Sequence, residues 1–121
     1  MTVQMINNQH RQVAVDIITP VAQASVNAET LLAGSEIDMR MWRSLAYTLK
    51  VATNDVTWVV YGANSADYSD EVVVQSAANV VAGAAGTYAV AQAPYAYYRV
   101  KIYSTVGGSH GTGTLIGIAK G

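Results

Sequence analysis

The sequence predicts an all-β chain, an antiparallel β-sandwich of about eight strands. Three observations predict it. Apolar and polar residues alternate with a period of two through the middle of the chain. Turn-forming residues interrupt the runs roughly every 8–12 positions. No self-similar unit of about 20–50 residues is present, which sets solenoids and propellers aside.

The first dozen residues are polar and without periodicity, so residues 1–12 read as an N-terminal arm and 13–121 as one sandwich domain. Val13 to Ile18 is rich in β-branched residues and ends at Thr19-Pro20, which suits a first strand. Residues 19–34 allow two readings. Thr19 could cap a helix with Pro20 at its first position and Gly34 closing it. Val21, Ser25, Val26, Asn27 and Thr30 are mediocre helix formers, which favours a loop and then a strand from Ala28 to Ala33.

From Ser35 the alternation is plain. Ile37, Met39 and Met41 are expected on a buried face and Glu36, Asp38 and Arg40 on a wet one. Leu45, Tyr47, Leu49 and Val51 repeat the pattern, and Thr53-Asn54-Asp55 supplies turn chemistry. Val56 to Tyr61 forms the next strand, with Trp58 in the core. Gly62 to Asp70 is a long polar loop. Two shorter strands follow, Glu71 to Ser76 and Gly86 to Ala91, around a Gly83/Gly86 turn. The strongest strand runs from Tyr95 to Thr105. Gly107 to Gly111 is then a hairpin loop, and Thr112 to Ile118 the returning strand.

Composition narrows the function. Charged residues make up 12% of the chain, about half the usual share, which implies a surface partly covered by a partner. The net charge of −1 offers no basic footprint, so nucleic acid is not an expected partner. Apolar runs fall far short of the ~20 residues of a membrane helix, so no membrane is expected either. Zero cysteines remove disulfides and thiolate metal sites, and the first ten residues lack a signal-peptide pattern.

The sequence offers no catalytic machinery, metal set or cofactor loop, and the expectation is a protein that is not an enzyme. Ser109 beside His110 is no triad, because base and nucleophile must meet in space and be oriented by a third group. The glycines of 107–114 lack the lysine and the following helix that a phosphate loop needs. Asn64, Asp67, Asp70 and Glu71 put several oxygens in one loop, but without the spacing of a known calcium loop; solvated turn residues are the plainer reading.

One surface does carry a signal. In the Tyr95–Thr105 strand, Tyr98, Val100 and Ile102 point one way, and Tyr95, Tyr97, Arg99, Lys101 and Tyr103 the other. Tyrosine and arginine dominate the energetics of protein interfaces. The stripe is therefore an expected protein–protein contact, with an exposed face of cross-strand aromatic pairs as the plainer alternative. A weaker candidate patch holds Arg40, Trp42 and Arg43.

Thr57-Trp58-Val59-Val60-Tyr61-Gly62-Ala63-Asn64 resembles the V-x-Y/W-G-S-N-D strand and turn of discoidin-like sandwiches. Pro94-Tyr95-Ala96-Tyr97-Tyr98-Arg99-Val100-Lys101-Ile102 resembles their Y-R-Y-Y-R-V strand. The ending from Gly111 to Gly121 is similar to small virion proteins of tailed bacteriophages. Across residues 35–121 the resemblance implies a jelly-roll or discoidin-like sandwich and a capsid decoration (cement) protein. Such a protein is made in the bacterial cytoplasm and located in the virion. It would bind the major capsid protein or another virion protein and associate as a dimer or trimer. The alternative is a carbohydrate-binding module of a tail, fibre or adhesin. The cysteine pair of secreted discoidin relatives is missing here.

Overall fold

Two antiparallel sheets close on each other because nearly every strand carries one apolar face. The computed structural model describes residues 10–17, 29–103 and 111–121. Among the described residues every regular element is a strand. β1 is His10–Ile17, β2 Thr30–Leu31, β3 Ile37–Asp38, β4 Ser44–Thr53 and β5 Val56–Ala63. β6 is Val72–Val80, β7 Ala85–Val90, β8 Tyr97–Tyr103 and β9 Thr112–Lys120. One sheet has the order β1-β9-β4-β7, and the other β2-β8-β5-β6, with β3 also on β8. Because β5 occupies one edge of β8 throughout, β2 and β3 share the other edge as two pieces of one interrupted strand. Counted that way the described residues form eight strands in two four-stranded layers, in the order of a jelly roll.

The core fills the space between the layers. Leu45, Tyr47, Leu49, Leu115 and Ala119 come from one sheet, and Trp58, Val60, Tyr98, Val100 and Ile102 from the other, all essentially without exposure. Gly117 lies under the Tyr47 ring, and a Cβ there would approach it to 2.8 Å. The small residue is what lets the tyrosine cross the layer.

The interruption between β2 and β3 is repaired by a side chain. Gly34, at φ 90°, turns the chain out of the ladder: Leu32 still donates its N–H to the Val100 carbonyl at 3.0 Å, but its own carbonyl turns to the Ser35 N–H and leaves the Val100 N–H without a strand acceptor. The buried Ser35 hydroxyl takes that place. Its Oγ accepts from the Val100 N–H at 3.0 Å and donates to the Val100 carbonyl at 3.3 Å. Tyr47 Oη donates in turn to the Ser35 carbonyl at 2.7 Å. Every polar group of this core cluster therefore has a partner, as burial demands.

Several boundaries differ from the sequence expectation. Residues 10–12, expected in the arm, run in β1 and pair with β9. The strand expected over 28–33 is only Thr30–Leu31. Met41 is 85% exposed instead of buried, because β3 stops at Asp38 and a turn follows, with the Trp42 N–H bonded to the Met39 carbonyl at 3.0 Å. The expected β8–β9 hairpin does not form. Both edges of β8 are already taken, so β9 joins the other sheet between β1 and β4. Residues 1–9, 18–28 and 104–110 lie outside the described residues, and with them the expected arm up to residue 9, the first part of the helix-or-loop segment, Ser109 and His110.

Candidate interaction surface

β8 runs beside β5 in the same sheet in a strict register, Tyr97 opposite Ala63, Arg99 opposite Tyr61 and Tyr103 opposite Thr57. Tyr97, Arg99, Lys101 and Tyr103 alternate outward from the buried Tyr98, Val100 and Ile102, as the period of two requires. Tyr95 does not belong with them. β8 starts only at Tyr97, the segment before it is bent, and Tyr95 turns inward against the core beside Tyr98 with ring centroids 6.2 Å apart. Gly62 makes room for it, since a Cβ there would come within 2.7 Å of the Tyr95 ring.

The stripe is organised by Glu71, at the end of the loop between β5 and β6. One Glu71 oxygen accepts from Arg99 Nε and the other from Lys101 Nζ, both at 2.8 Å. Each cation also covers a ring of its own chain, Arg99 over Tyr68 at 4.1 Å and Lys101 over Tyr61 at 4.5 Å. The three charged side chains keep only 18–23% of their exposure. Burial pushes the Glu71 carboxyl upward, but the hydrogen bonds from Arg99 and Lys101 outweigh it and hold the group below its ordinary value. Tyr61 donates to Glu29, and burial followed by that hydrogen bond pushes its phenol up to about 12.

Ahead of Glu71, the loop from Asn64 to Asp70 spends its side-chain oxygens on backbone N–H groups. Asp70 accepts from the N–H groups of Asn64 and Ser65, Asp67 from that of Ser69, and Asn64 Oδ1 from that of Ala96. The loop's chemistry is that of a staple, with Tyr68 as its anchor at φ 60° and its Oη donating to the Tyr98 carbonyl at 2.9 Å. Tyr68 escaped the sequence reading. The signal was there, a lone aromatic in a polar loop.

The second candidate patch divides. Arg40 forks onto Asp38 and reaches over the Tyr97 ring at 5.3 Å, which joins it to the β8 face. Trp42 is half-buried against the core, and Arg43 uses its backbone to tie Lys120 and Ala93 while its side chain is exposed. On the assembled face each cation therefore has an acid: Arg40 with Asp38, and Arg99 and Lys101 with Glu71.

A feature missed in the sequence lies along one flank. From Val72 to Tyr98 there is no charged residue. This run contains β6 and β7, the edge strands of the two sheets on the same side of the sandwich. Val72, Val73 and Val81 are 43–52% exposed there. Between the strands lies a hollow of about 280 Å³ whose lining includes Trp58, Asn79, Val80 and Thr87.

No protein-family model matches the chain, and no curated protein sequence matches it. Solved structures do. A chain from Bacillus endospore appendages, described as a family of disulfide-linked pili, superposes with a TM-score of 0.57 at 18% identity, over 92% of this chain and 85% of that one. The SPBc2 prophage-derived protein YomS superposes with a TM-score of 0.50 at 9% identity, over 93% and 95%. Both likenesses are of fold.

Proposed function

We propose that the chain is a non-enzymatic structural subunit of a tailed-phage virion, a capsid decoration protein that seats the outer face of β8 on the shell. The observation that carries this reading is the β8 face itself. Tyr97 and Tyr103 stand beside cations already held by Asp38 and Glu71. Such a face leaves few side chains to be ordered on docking and brings its charges already paired, which lowers the cost of covering it. A standard contact of about 1,600 Å² repeated by shell symmetry then gives firm attachment without a single strong bond. The small jelly-roll fold, the low charge and the prophage origin of one structural neighbour support the reading. The likeness to a pilus subunit favours a second reading, in which the same face packs subunits into a surface filament.

The test uses Tyr97→Ala with Arg40→Ala, which spares the Glu71 cluster. The double variant is expected to fold normally and to be lost from purified particles. Incorporation at wild-type occupancy would remove the β8 face as the contact. Reproducible binding to a glycan array, with none to capsid shells, would replace the reading with the carbohydrate-binding one.

A further inference from the structure

We infer that the uncharged β6–β7 flank is the contact for a second copy of this chain, paired about a two-fold axis perpendicular to both sheets. This goes beyond the virion reading and does not depend on it. Open sheet edges in proteins that stay apart carry charges, prolines or bulges that spoil further pairing. Here β7 has none of these. Its six residues, Ala85–Val90, hold an unbroken register on β4 and contain neither charge nor proline, and among the described residues no strand pairs with its other edge. β6 does carry two bulges against β5, so the ladder falls to β7 and β6 contributes its exposed valines.

The occupant follows from the chemistry of the two flanks. The opposite flank holds β1, β2 and β3, with Arg11 and Asp16 in the sequence of β1 and Glu29, Glu36, Asp38 and Arg40 around β2 and β3. A head-to-tail contact would press charges onto an apolar edge and strip them of water with nothing to pair them. The uncharged flank is matched by its own copy, which gives a closed pair instead of a fibre. A two-fold axis through the middle of β7 makes β7 antiparallel to its copy. The same axis brings β6 beside its copy in the other layer. Ala85, Thr87 and Ala89 are small and exposed, so neither strand obstructs the other. Six residues at ~3.3 Å, across two layers ~10 Å apart with their side chains, cover roughly 500 Å² on each copy. That total of about 1,000 Å² is at the lower limit for a specific contact and suits a reversible pair.

The chain has no cysteine, so one introduced cysteine reports only on its own copy. Light scattering of the whole chain at about 100 μM is expected to give twice 12.8 kDa. Thr87→Lys with Ala89→Lys sets like charges across the axis and is expected to weaken the pair at least ~100-fold, leaving monomer. Thr87→Cys is expected to cross-link efficiently with a short bis-maleimide, and Arg40→Cys on the opposite flank is not. A wild-type monomer at this concentration, a dimer that survives the two lysines with wild-type circular dichroism, or equal cross-linking at positions 87 and 40 would overturn the inference.

Discussion

Replacing Glu71 with Gln tests the organisation of the β8 face most directly. The carboxylate holds Arg99 and Lys101 at 2.8 Å each, in a triad about four-fifths buried. A fully exposed pair contributes about 0–1 kcal/mol, and removing one partner of a fully buried pair costs about 3–5. At this depth the loss is about 2 kcal/mol, since the amide keeps one acceptor and turns a donor toward a cation. With an unfolding entropy near 2.1 cal/mol/K per residue over 121 residues, Tm falls by about 8 °C. The pH dependence gives an independent reading of the same geometry. The folded chain holds the Glu71 carboxyl below its ordinary 4.5, so its contribution is complete above that value and fades as the pH falls through the folded value. Urea unfolding of both proteins at pH 7 and at descending pH below 4.5 measures the gap. It should be about 2 kcal/mol at pH 7 and narrow toward zero in acid. A gap under 0.5 kcal/mol at pH 7, or one that persists unchanged in acid, would show that the triad does not hold this face.

Two other expectations concern the core. Ser35→Ala leaves the buried Val100 N–H without its acceptor and should cost about 2 kcal/mol, read as a lowered urea midpoint at unchanged slope; a loss below 0.5 would mean the β2–β3 gap is satisfied otherwise. Alkaline titration should destabilise the protein between pH 10 and 12. Burial raises the Tyr61 and Tyr98 phenols to about 12, so the folded chain keeps protons that the unfolded chain releases from pH 10 upward, and stability intact below 10 is lost as the pH climbs. Unfolding free energy that stays flat across that range would contradict it.

The sheet architecture was legible because alternation is a local property. Leu45, Tyr47, Leu49 and Val51 declare their buried face within eight residues, and Tyr98, Val100 and Ile102 do so within five. What alternation does not carry is which strand lies beside which. Gly107 to Gly111 has turn composition, and only the occupancy of both β8 edges explains why β9 crosses to the other sheet. Alternation also breaks where a strand stops early. Met41 and Tyr95 continue the period in sequence but lie past the ends of β3 and β8, so each turns to the face opposite the one the period predicts. The β8 stripe was visible as residue types, whereas Glu71 and Tyr68, which hold Arg99 and Lys101 in place, come from a loop some thirty residues earlier. The uncharged flank was visible as a gap in the charge pattern from 72 to 98. It gains meaning only once β6 and β7 are known to be edges.

The central position of β9 bears on how the protein is made. His10 pairs with Lys120, so one layer joins segments that the ribosome produces at opposite ends of this stretch. Until residue 120 has cleared the exit tunnel, β1 has no neighbour and β4 lacks one of its two. Pairings of such long range form slowly. During that wait the core lacks Leu115 and Ala119, and an early stop codon would release a sticky fragment instead of a smaller working domain.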